Sequence, residues 1–164
     1  MRFLAFDLGD KRTGVASGDS ELGVVSPLRV IEAPMDAGDR LLDELSRVIA
    51  EHRPAAVVVG LPLNMDDDSE GPQARKVRAF ARRLEERAAL AVHLQDERLT
   101  SAAADWQLAG SGLTHGQKKQ RRDALAAAEI LREFFSRLAQ ERRDAAGGEP
   151  PPPPTPPSGW GPST

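Results

Sequence analysis

Cysteine and tyrosine are both absent from this chain of 164 residues, and histidine occurs only three times. Without thiols there is no disulfide, no thiolate nucleophile and no zinc–thiolate site, which fits a reducing interior. Any metal must then be held by oxygen or by His52, His93 or His115. Those three have ordinary structural places: near a helix end, in a strand and in a loop. Aromatic residues make up 4% of the chain, and Trp106 and Trp160 need no base-stacking role. Long apolar runs are missing too. No stretch approaches the roughly 20 residues of a membrane span, and Met1-Arg2-Phe3-Leu4-Ala5-Phe6-Asp7 is too short for a signal peptide. The expectation is a cytoplasmic protein with no membrane partner.

An excess of positive charge, the usual mark of a nucleic-acid binder, is also lacking, since the formal net charge is −3. The distribution is less even than the sum. Arg75, Lys76, Arg78, Arg82, Arg83 and Arg87 form one basic run, and Lys118, Lys119, Arg121 and Arg122 a second. Asp66-Asp67-Asp68 offsets them elsewhere. A basic run is as readily a solvated helix face as a phosphate-binding surface. From Gly147 onward the sequence is proline-rich, extended and unable to bury surface. Residues 1–144 are therefore expected to form one domain, with 145–164 a disordered tail.

Within the domain, residues 2–7, 13–18 and 23–31 read as three short strands with an antiparallel start. Leu41, Leu42, Leu45, Val48 and Ile49 fall at helical spacing between Asp39 and His52, where Pro54 stops the pattern. Residues 55–61 are a nearly continuous apolar run, as in a parallel strand covered on both faces. Residues 73–89 form a basic amphipathic helix and 90–95 another strand. Thr100 or Ser101 can cap a helix running to about Ala109, and the last helix covers roughly 120–143. The order predicts an α/β fold with a mixed sheet layered by helices.

Three sets of carboxylates stand where such folds place their sites. Asp7 ends the first strand and enters a turn, at the carboxyl end of a central strand. Asp96 and Glu97 end the last strand before a helix. Alternation points these two to opposite faces, so one of them joins Asp7, and the spacing leaves open which. Stepping back by four and seven residues from the apolar positions Ala127 and Ile130 reaches Asp123, which places it on the inward face of the last helix. A buried carboxylate asks for a cation, a hydrogen-bond partner or a solvated cleft. Converging carboxylates without cysteine suit Mg²⁺ or Mn²⁺, hard ions that prefer oxygen and assist phosphodiester hydrolysis. Lys118, Lys119, Arg121 and Arg122 lie beside Asp123, placed for the flanking phosphates.

Four ordered blocks now resemble a known family. They are Phe6-Asp7-Leu8-Gly9-Asp10-Lys11-Arg12-Thr13-Gly14-Val15-Ala16, Val59-Gly60-Leu61-Pro62-Leu63-Asn64-Met65, Asp96-Glu97-Arg98-Leu99-Thr100, and Asp123 with Ala126-Ala127 and Ile130-Leu131. Together they are similar to the YqgF (RuvX) family of Holliday-junction-resolvase-like proteins, which are associated with pre-16S ribosomal RNA processing. The resemblance implies an RNase H-like fold, a mixed five-stranded sheet with helices on both faces. It implies a nuclease dependent on Mg²⁺ or Mn²⁺, with Asp7, Glu97 and Asp123 as both catalytic acids and metal ligands and Asp96 as a helper or substitute. Lys11, Arg12, Asn64 and Arg98, from the same blocks, are expected to join the 118–122 run in contacting nucleic acid.

The implied substrate is pre-16S rRNA cut near its 5′ end, with branched DNA as the alternative. Symmetric cutting of a junction needs two active sites and hence a two-fold homodimer, whereas a monomer can trim RNA. Two other readings compete. Asp-Leu-Gly followed by Gly-Val-Ala also resembles the first phosphate loop of actin-like and sugar-kinase ATPases, which need two such domains where this chain has one. An RNA-binding assembly factor that cuts little would keep the basic face, and retention of all three acids argues against it.

Overall fold

The structure, a computed structural model, describes residues 1–64, 69–97, 112 and 114–147, without the side chains of residues 119 and 120. Five strands form one sheet: β1 (Arg2–Leu8), β2 (Thr13–Asp19), β3 (Val24–Ile31), β4 (Ala56–Leu61) and β5 (Val92–Asp96), in the spatial order β3-β2-β1-β4-β5. The first three pair antiparallel, and β4 and β5 add parallel beside β1. All six residues of β4 are buried, as its continuous apolar run predicts for a strand covered on both faces.

Helices α1 (Asp39–His52) and α2 (Pro72–Ala88) cover one face, and the long helix α3 (His115–Ala145) covers the other. Alternation sorts the strand residues between two cores. Leu4, Phe6, Leu8, Val57 and Val59 meet α1 and α2, while Phe3, Ala5, Ala16, Ala56 and Val58 meet Ala127, Ala128, Ile130, Leu131 and Phe134 of α3. Each fully buried Leu, Ile, Val or Phe contributes about 1.5–3 kcal/mol relative to exposure. The mixed sheet with helices on both faces is therefore present as expected.

α1 runs from Asp39 to His52, the span expected, and ends in a left-handed Arg53 whose N–H bonds the Ile49 carbonyl at 2.8 Å, just before Pro54. The last helix starts at His115, five residues earlier than the expected start near 120. Thr114 and Gln117 form a reciprocal capping box, the Thr114 hydroxyl accepting from Gln117 N and the Gln117 side chain accepting from Thr114 N. His115 is thus the first residue of a helix and not part of a loop. The expected helix after Thr100 and the proline-rich segment beyond Gly147 lie outside the described residues.

Candidate active site

Asp7 sits near the end of β1 and alternates with Phe3 and Ala5, so its side chain shares the α3 face. Its partner across the antiparallel pair is Gly14. A Cβ at Gly14 would stand 1.9 Å from the backbone oxygen of Asp123. Only a residue without a side chain lets α3 cross β2 so closely, and that approach brings Asp123 beside Asp7.

A second strand glycine does the same on the other side. A Cβ at Gly60 of β4 would meet Ile130 Cδ1 at 2.6 Å and Glu97 Oε2 at 2.7 Å. The Glu97 carboxyl therefore lies across β4 toward Asp7. This resolves the choice that alternation left open. His93 stacks on Phe134 of α3, with ring centroids 5.2 Å apart, while Val92 and Leu94 pack toward the α1–α2 core. Glu97 follows the His93 parity and joins the α3 face, and its N–H bonds the Leu61 carbonyl at 3.3 Å. Asp96 has the opposite parity, though its charge still reaches Glu97.

The electrostatics of the pair follow from partial desolvation. Burial pushes the Asp7 carboxyl up to about 6; its hydrogen bond with Glu97 pulls it back and the charge of Asp123 raises it further. Glu97 is pushed up to about 8 by burial, then by the charge of Asp7, the hydrogen bond to Asp7, and the charge of Asp96. At neutral pH Glu97 is the protonated partner and donates to Asp7. Asp123 has a different partner, with Arg12 Nε donating to its Oδ2 at 2.8 Å. Its inward position therefore has a partner, one contributed by the β1–β2 turn.

The other expected contacts are scattered around this centre. Lys11 is exposed in the β1–β2 turn, Arg121 and Arg122 are exposed in the first turns of α3, and Lys118 is half-buried there. Asn64 is exposed and closes its own loop, donating from Nδ2 to Ser69 Oγ at 2.7 Å. Arg98 and the Lys119 side chain lie outside the described residues, as do Met65 and Asp66 to Asp68. The roles of Gly14 and Gly60 were not read from the sequence. Their signal was glycine inside a strand, which marks a close approach of another group.

Among the described residues, no group of three or more His, Asp or Glu side chains is gathered closely enough to hold a metal ion. The donor set nevertheless fits Mg²⁺ or Mn²⁺. These ions are commonly bound through one or two carboxylates, with waters and substrate phosphates completing the shell. Asp7 and Glu97, sharing a proton that a cation would replace, are such a pair.

Comparison with known proteins agrees with this reading of the fold. A family model described as RuvX, Holliday junction resolvase, matches residues 1–137. A Thiobacillus denitrificans protein named "Putative pre-16S rRNA nuclease" is 49% identical over 133 residues, covering 80% of this chain and 89% of its own. A Rhodobacter capsulatus protein of the same name is 41% identical over 133 residues, covering 81% and 82%. Among solved structures, Thermus thermophilus RuvC in complex with Holliday junction substrate aligns with a TM-score of 0.54 at 17% identity, over 84% of this chain and 96% of that one. Fowlpox virus resolvase bound to Holliday junction DNA aligns with a TM-score of 0.53 at 11% identity, over 84% and 99%. At such identities these structures show the shared RNase H-like fold.

Proposed function

This chain belongs to the RuvX family of nucleases, and from that premise we propose that it hydrolyses phosphodiester bonds at the Asp7–Glu97–Asp123 cluster, acting on the 5′ region of pre-16S rRNA. The observation that carries the mechanism is the approach of Asp7, at the end of β1, and Glu97, after β5, across the intervening β4 into hydrogen-bond contact, with Asp123 brought in over Gly14. Two carboxyls this close resist ionising together near neutral pH, so the site favours an added positive charge. Asp7, Glu97 and Asp123 would hold Mg²⁺ or Mn²⁺. Such an ion supplies activation of the attacking water and stabilisation of the leaving oxygen.

The protein's own groups supply the rest. Lys118 and Arg121, in the first turns of α3, precede Asp123 and would bind phosphates near the cut. Asp96 would help from the other face, where its charge adds the smallest of the causes that raise Glu97. Arg98 and Lys119 complete the basic surface in this reading. No helix among the described residues is long and apolar enough to cross a membrane, and action on an rRNA precursor fits a cytoplasmic protein. A monomer suffices for that role.

The names of the relatives favour RNA, and the family description names a junction, so the deciding experiment compares both. A 5′-extended 16S precursor and a four-way DNA junction are incubated with the protein in Mg²⁺ and in Mn²⁺. Metal-dependent cutting of the precursor is expected. A cut junction beside an intact precursor would transfer the assignment to branched DNA and a homodimer, and no cutting of either would leave an RNA-binding assembly factor.

A further inference from the structure

We propose that Arg12 is a built-in counter-ion that occupies the cation's place at Asp123 in the metal-free protein and must be displaced before Asp123 can act as a ligand. The inference rests on the metal-dependent reading above and concerns how that site is kept assembled while empty. Three carboxylates stand at one end of the sheet, and two of them, Asp7 and Glu97, are hydrogen-bonded to each other. The third has a different partner. Arg12 leaves the β1–β2 turn, whose Gly9 N–H bonds the Arg12 carbonyl at 2.9 Å, and places Nε 2.8 Å from Asp123 Oδ2.

The location of this pair distinguishes it from the surface ion pairs of the molecule. The side chains of Arg12 and Asp123 are only 17% and 28% exposed, and the Asp123 backbone is pinned over Gly14. An arginine cannot give up its proton in this range, so its charge is permanent. Asp123 is thus held in one orientation without metal. The same permanent charge competes with an incoming cation for Asp123. Once displaced, the guanidinium remains beside the cluster, with the geometry for bidentate contact to a phosphate. Arg12 acts through Asp123 and is a positioning residue for the metal site.

The test is calorimetric titration of Mn²⁺ into the full-length protein, stripped of metal and without nucleic acid, for the wild type, Arg12→Gln, Asp123→Asn and the double variant. Removing the competing charge is expected to tighten Mn²⁺ binding roughly three- to tenfold, the scale of a half-buried ion pair. In the Asp123→Asn background the same Arg12→Gln change is expected to have no effect, because the competition has lost its object. A merely structural arginine would give the opposite sign, since loosening the turn weakens binding in both backgrounds. If Arg12→Gln fails to fold, Arg12→Lys, which loses the Nε donor, is expected to tighten binding by a smaller factor. Unchanged or weaker Mn²⁺ binding by a folded Arg12 variant overturns the proposal. Wild-type Mn²⁺ affinity in Asp123→Asn overturns the assignment of Asp123 as a ligand, and is thereby distinguished from failure of the Arg12 idea alone.

Discussion

The basic helix α2 and the basic start of α3 carry similar runs of arginine and lysine, and the fold puts them to different uses. On α2, Lys76 pairs with Asp36 at 3.6 Å, Arg83 with Asp39 at 2.6 Å, Arg87 with Asp43, and Arg78 with Glu70. Three of those acids lie on α1 or the short turn before it, so the charges join α2 to α1 and neutralise each other. At the start of α3, Lys118 and Arg121 have no ion-pair partner among the described residues and lie in the turns next to Asp123. Cation count alone would rank α2 as the nucleic-acid surface. Four of the six α2 cations are matched to acids, and a cation already matched to an acid offers little to a phosphate, so the start of α3 is the surface to test first.

The largest expected effect lies at the acidic end of this contrast. Asp7→Asn and Asp123→Asn each remove ligand charge with little change in volume. Metal-dependent cleavage should fall by on the order of a hundredfold or more, beyond the 10–100-fold typical of groups that only support a ligand. Full cleavage by either variant, in a preparation free of contaminating nuclease, removes that residue from the mechanism.

The contrast between the two helices is sharpened by salt. Replacing Lys118 and Arg121 together with Gln should flatten the dependence of log affinity on log salt by roughly 1.4 to 1.8, at about 0.7 to 0.9 per phosphate contact. Loss of affinity should be similar across sequences, because phosphate contacts carry no base information. Arg83→Gln should leave the slope unchanged and cost about 0.2–1 kcal/mol of stability through the lost pair with Asp39. The reverse pattern would place the nucleic acid along α2.

Stability should respond to pH through the shared proton. With Asp7 raised to about 6 and Glu97 to about 8, the metal-free native state holds more protons than the unfolded chain across that window. The linked stabilisation is fully present below the ordinary carboxyl range and is lost as pH rises through about 6 and then about 8. The melting temperature without metal should therefore fall between pH 5 and pH 8.5. Glu97→Gln mimics the protonated form and should melt higher than wild type at pH 8.5, by roughly 3–8 °C. A flat profile for the wild type would mean the carboxyls are not packed as described.

Much of this architecture was legible in the residues, and the limits of that reading have physical causes. α1 was readable to its ends because apolar spacing and Pro54 agree, and β4 because only a doubly covered strand is so continuously apolar. The start of α3 was misjudged because Gly116 and Gly112 suggest a loop, whereas the Thr114–Gln117 box outweighs one helical glycine. The parity of Asp96 and Glu97 was evident, but which parity faced the site depended on the register of β5 against β4 and on Phe134. The pairing of Arg12 with Asp123 spans 111 positions, and no local pattern announces it. Gly14 and Gly60 stood inside the matching blocks, yet their purpose is visible only once α3 and Glu97 occupy the missing side chains.

The smallest effect is expected from the proline-rich end. Deleting residues 148–164 should leave melting temperature and cleavage rate nearly unchanged, since such a segment contributes no core. A drop of many degrees would show that it packs on the domain.

The central claim, that strand parity selects Glu97 to share the site with Asp7, is tested most directly by Mn²⁺-dependent cleavage of the precursor RNA with Glu97→Gln and Asp96→Asn side by side. The account predicts that Glu97→Gln loses cleavage while keeping its fold, and that Asp96→Asn retains most of it, its charge acting on Glu97 from the other face. Cleavage at the wild-type rate by Glu97→Gln, with loss in Asp96→Asn, would contradict it.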